Sequence, residues 1–130
     1  MDRVALVGKL FVAYQSGDFG NFAELVSPNV RLEPLGTDLK PGPVYEGAAG
    51  VAEWARDLAE SSDEFQPSVE SIEQIGERVL AVGSIQVATP TGLVGPTPAA
   101  WLSDFDDTGR LKRLKTYVDV EQARADAEAP

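Results

Sequence analysis

The chain has 130 residues, with 43% hydrophobic and 25% charged residues, a formal net charge of −10, and neither cysteine nor histidine. That length makes one domain, residues 1–130, able to bury roughly two-thirds of its unfolded surface, and the acidic balance argues against nucleic acid and anionic membranes as partners. Without cysteine or histidine there are no disulfides, thiolate nucleophiles, Ser-His-Asp chemistry or ordinary zinc and non-haem iron sites, so no metal is expected and proton transfer falls to Asp, Glu, Tyr, Lys or water.

The start, "MDRVALVGKL", has an acid at position 2 and no small-residue cleavage site, so it does not read as a signal peptide. No apolar run approaches the ~20 residues a membrane span needs, and the expected location is the cytoplasm. Val4, Val7, Leu10, Phe11 and Tyr14 recur at helical spacing, and Ser16-Gly17-Asp18 then supplies a stop and an N-cap. A short second helix carries Phe19, Phe22, Ala23 and Val26, and Pro28 is expected to end it. "NVRLEPL" reads as a short strand and "GTDLKPGP" as a loop. A third helix begins near Gly47, with Val51, Trp54, Ala55 and Leu58 on one face.

Four β-rich stretches follow: "PSVESIEQIG", "RVLAVGSIQVAT", "PAAWLSDFD" and "GRLKRLKTYVD". Turn signals at Gly76-Glu77 and Asp107-Thr108-Gly109 predict tight hairpins and antiparallel pairing in chain order. "ATPTGLVGPTPAA", with Pro90, Pro96 and Pro98, reads as a rim connection. "DVEQARADAEA" reads as a last helix with Asp119 and Gln122 in capping-box spacing. Helices first and a strand meander last give an α+β layout: a cone-shaped, curved antiparallel sheet wrapped around three N-terminal helices.

Several segments together resemble a SnoaL-like domain of the nuclear transport factor 2-like superfamily. They are "SGDFGNFAELVSPNV", "VYEG" opening a helix with Trp54, "IEQIGERVLAVGSIQV" and "FDDTGRLKRLKTYVDVEQA", and the match spans about residues 3 to 125. The resemblance implies the cystatin-like cone, a homodimer through the outer sheet face, a hydrophobic cavity inside, a small hydrophobic molecule as partner, and no cofactor. The superfamily holds polyketide cyclases, ketosteroid isomerase, epoxide-opening enzymes, dehydratases and members without chemistry, so fold does not settle function.

Glu33 is the candidate acid or base. "LEPLG" resembles the acid-Pro-x-Gly segment that carries the isomerase's base, and apolar walls would raise a carboxyl pKa toward useful basicity. Strand alternation offers another reading, with Arg31 and Glu33 on the solvent side and Val30 and Leu32 inside. The isomerase's other roles do not carry over: the resemblance places its tyrosine at Leu10, with Tyr14 one turn on, and its late-strand aspartate at Trp101. The cyclases' aspartate falls on Thr116, whose hydroxyl orients a substrate but is no base at neutral pH. Leu114, Thr116 and Val118 are expected to face the cavity. Trp54, Trp101 and Tyr45 either contact a ligand or pack the core. Arg110, Lys112, Arg113 and Lys115 form an anion patch or a solvated strand face balanced by nearby acids.

Two functions stay open. One is a cofactor-free isomerase, dehydratase, cyclase-type or epoxide-opening enzyme using one carboxylate. The other is a non-catalytic homodimeric ligand-binding or interaction module.

Overall fold

In a computed structural model, which describes residues 2–36 and 38–130, the Asp2 carboxylate accepts from the Ala5 amide at 2.8 Å and starts α1 (Arg3–Ser16). Gly17 at φ 74° ends it, a conformation that costs glycine little. The Asp18 carboxylate then accepts from the Asn21 amide and starts α2 (Phe19–Glu24). So the Ser-Gly-Asp break fixes the angle between the first two helices. Pro28 does not end α2; it lies inside β1 (Val26–Glu33), because the chain is already extended there.

β2 (Tyr45–Glu46) leads into α3 (Gly47–Glu60), and then come β3 (Glu64–Ile75), β4 (Arg78–Thr89), β5 (Gly92–Phe105), β6 (Leu111–Tyr117) and α4 (Val120–Glu128). The six strands form one sheet in the order β2-β1-β6-β5-β4-β3. β3 to β6 pair antiparallel in chain order, as the hairpin signals require. β1 departs from the expected antiparallel sheet. It runs parallel to β6, with Leu32 beside Leu114. No hairpin joins those two strands, so nothing local fixes their relative direction.

The sheet curves without closing. Register shifts between Val69 and Ser71, between Ile85 and Val87, and between Asp104 and Phe105 bend and twist it. At the first of these, Gly83 lets β4 approach β3: a Cβ there would lie 1.8 Å from the Ser68 carbonyl oxygen. The second absorbs Pro96. The segment read as a rim connection is strand from Gly92 onward, because Gly95 and Pro96 fall where Ile85 pairs Thr97 and Val87 pairs Val94. A proline at an interrupted stretch of ladder removes no pairing that would otherwise form.

α1, α2 and α3 fill the concave side. Val7, Leu10, Phe11, Phe22, Trp54 and Trp101 are each at most 6% exposed. A second cluster lies on the convex side, where Leu80, Ala100, Leu102 and Tyr117 pack under Ala123 and Ala127 of α4. Asp119 caps α4 by accepting from the Gln122 amide, but the Gln122 side chain turns forward to Asp126, so only half of the capping box forms. Among the described residues, no helix is long and apolar enough to cross a membrane.

Candidate functional site

Pairing of β5 with β6 sets Trp101 against Thr116 and Ser103 against Leu114, and the strand period points all four at the concave side. Helical spacing brings Leu10 and Tyr14 of α1 over them, with Trp54 and Leu58 of α3 beside. The aromatic rings interlock. Phe11 meets Trp101 edge-on at 5.0 Å between centroids, and Trp54 is contacted by Tyr14, Phe19 and Phe22 at 5.0, 5.3 and 5.5 Å.

That packing corrects the expectation of an open hydrophobic hollow. The inner cavity bounded by Tyr14, Leu32, Trp54, Trp101, Leu114 and Thr116 measures about 20 Å³. A deeper one, beside Leu10, Tyr14, Phe22, Ser103 and Leu114, measures about 10 Å³. Each is on the scale of one water rather than of a substrate. The tryptophans that were candidate ligand platforms are what fill the space.

A solvent-open groove of about 860 Å³ runs outside, between the end of α1, the start of α2, the end of α3 and the start of β3. Tyr14, Leu58 and Phe65 border both this groove and the inner cavity. They form the partition between solvent and interior.

Glu33 borders the cavity at the end of β1, yet its carboxylate accepts a hydrogen bond from Arg113 Nε, and Arg31 Nε lies 3.6 Å from the same oxygen. Partial burial alone would raise its pKa. The Arg113 hydrogen bond and charge, joined by Arg31 and Lys115, outweigh burial and hold the carboxyl below its usual range. The raised pKa that made Glu33 attractive as an acid or base is therefore absent. Its neighbours favour a permanently ionised carboxylate, a poor proton acceptor at neutral pH.

The Tyr14 hydroxyl is different. Burial pushes its pKa up to about 12, so it remains a neutral donor. Thr116 adds a second hydroxyl on the same wall. Among the described residues, no group of three or more carboxylates gathers as a metal would need.

Two expected site residues lie elsewhere. The Tyr45 ring is buried at the α3 packing surface, where its hydroxyl donates to Asp57 Oδ2 at 2.5 Å, a tie between β2 and α3. Val118 is 42% exposed, because β6 stops at Tyr117 and the chain turns away into α4. Leu10 borders only the deeper void. Of the basic patch, Arg113 is taken by Glu33 and Lys115 lies over the Tyr117 ring at 4.9 Å, while Arg110 and Lys112 are exposed.

The sequence reading missed Ser103 and the Arg113 partner of Glu33. Ser103 stands two positions after Trp101 and so shares its face, a signal that strand alternation carries. The Arg113 contact spans 80 residues and rests on the parallel pairing, which no local pattern announces.

No family model matches the sequence, and no curated protein does either. Solved structures do match. A nuclear transport factor 2-like protein of unknown function from Burkholderia pseudomallei superposes with a TM-score of 0.74 at 19% identity, over 99% of this chain and 100% of that one. TerC, co-crystallised with polyporic acid, gives 0.72 at 16% identity over 98% of each chain. An LEH-like epoxide hydrolase of M. tuberculosis gives 0.70 at 19% identity over 95% of this chain and 86% of that one. The chain therefore has the nuclear transport factor 2-like fold, the cone of the SnoaL-like domains its sequence resembles. Likeness at this identity carries the fold and no activity.

Proposed function

We propose that the chain is a binding domain for a small hydrophobic molecule, admitted from the groove to the concave wall past Tyr14, Leu58 and Phe65. The carrying observation is that these three side chains border both the groove and the inner cavity, so displacing them joins the two. A ligand entering there meets the aromatic faces of Trp54 and Trp101 and the hydroxyls of Tyr14 and Thr116. Apolar walls with a few convergent donors are the usual makeup of a small-molecule site. Glu33 serves in this reading as a fixed ion-pair partner. Binding is favoured over isomerisation, dehydration or epoxide opening, because among the described residues the one carboxylate bordering the cavity is held ionised by arginine. A homodimer through the part of the outer face that α4 leaves open belongs to the same proposal, and a monomer in sedimentation at micromolar concentration would remove it.

The test is tryptophan fluorescence, since both tryptophans of the chain border the cavity. Titration with hydrophobic ketones, enones and epoxides is expected to give a saturable change that Trp101→Phe reduces. Absence of any saturable change across the panel would overturn the reading.

A further inference from the structure

Ser103 is 1% exposed, and its Oγ is buried with no hydrogen-bond partner. Its strand places it among apolar neighbours: Val79 pairs with it on β4 and Leu114 on β6. Beside it lies the void of about 10 Å³, whose lining carries side-chain polar atoms only on Ser103 and Tyr14. A buried hydroxyl left unpaired loses its bonds to water and gains nothing in return, and alanine would fill the same place without that loss. The void sits at the lower limit for one water, and a stable buried water needs two to four polar partners.

The route to Ser103 follows from shared walls. Tyr14 and Leu114 border both the 20 Å³ and the 10 Å³ voids, and Tyr14 also borders the groove. A ligand that displaces the Tyr14 ring opens one continuous path from solvent to the narrow end of the cone. We infer that the Ser103 hydroxyl is the unfilled donor that receives a ligand's carbonyl oxygen there, so that the domain selects ketones over hydrocarbons of the same shape. This deepens the ligand-binding reading and rests on it.

A matched pair of probes separates the two. Acetophenone and α-methylstyrene differ only in a carbonyl replaced by a methylidene group. The wild-type chain is expected to bind acetophenone roughly tenfold more tightly by tryptophan fluorescence, and Ser103→Ala to bind both alike. The ligand-free Ser103→Ala chain is expected to melt higher, by about 3 °C, because the unpaired hydroxyl is gone.

A preference that survives in Ser103→Ala would overturn the assignment, as would no preference in the wild type. So would a lower melting temperature in the variant, which would mean that a water or a main-chain carbonyl already holds the hydroxyl. If neither probe changes the wild-type fluorescence, no ketone carbonyl reaches Ser103 and the assignment fails; the ligand-binding reading fails with it only when the whole panel of ketones, enones and epoxides is silent.

Discussion

The two faces of the sheet are held by different physics. The concave face is a jigsaw of aromatic and aliphatic side chains with, among the described residues, one orphaned hydroxyl, Ser103. The convex face carries α4 on a small apolar patch and ties it down with polar links. There Arg78 donates to the Asp104 carboxylate at 2.8 Å and to the carbonyl oxygens of Asp126 and Ala129 at 2.7 and 2.9 Å. The Tyr117 hydroxyl adds a bond to Asp126 at 2.7 Å. The contrast teaches where ionisable groups end up. Charges sit on the side where water and partners stabilise them, and the side with the shape of a site holds almost none.

If the concave face depends on packing, Trp101→Ala should be the most damaging change. It removes a core indole and its edge contact with Phe11, an expected loss of about 3–5 kcal/mol in denaturant unfolding. A loss below about 1 kcal/mol would mean that the interior is looser than the ring contacts require.

On the convex side, Arg78→Ala should cost about 1.5–3 kcal/mol, because it breaks charge-assisted bonds to a carboxylate and two carbonyl groups. Hydrogen exchange sharpens the comparison: amides of α4 should lose protection while those of β4 and β5 keep theirs. Uniform loss across the sheet would show that α4 and the core unfold as one unit. Tyr117→Phe should have a smaller effect, about 1 kcal/mol, since one bond goes and the buried ring stays.

The Glu33 pair should contribute least, under about 1 kcal/mol at neutral pH, because the Arg113 side chain is 42% exposed and screened by solvent. Its sign with pH is fixed. The folded carboxyl titrates below its ordinary value of 4.5, so the contribution is present above that value and disappears as pH falls through the folded one. The stability gap between wild type and Glu33→Gln should therefore close as pH falls below 4.5 and through the lowered folded value. A gap that widens on acidification would mean that Glu33 is destabilised as a carboxylate, and would restore it as a candidate acid.

Much of the frame was legible along the chain. Gly17, Asp18 and Asp119 act locally, through bonds to groups a few residues away, and so could be read from spacing. The Gly76-Glu77 turn likewise joins β3 to β4 where the sequence signals it. The rest depended on distance or volume. Whether Trp101 lines a hollow or fills it is decided by Phe11, on another element altogether. The pKa of Glu33 is decided by Arg113, reached through a parallel pairing that has no hairpin to announce it. Pro96 looked like a loop residue because strand propensity does not register a bulge.

That parallel pairing has a consequence for how the chain is made. The strand that must lie beside β1 leaves the ribosome some 80 residues after it. At ordinary synthesis speeds the wait is roughly 4–16 s, far longer than local helix formation takes. During that interval β1 has β2 for one of its edges, while the edge that will meet β6 has no strand beside it. The nascent chain thus carries one unpaired strand edge until β6 is made, a natural point for a chaperone to act.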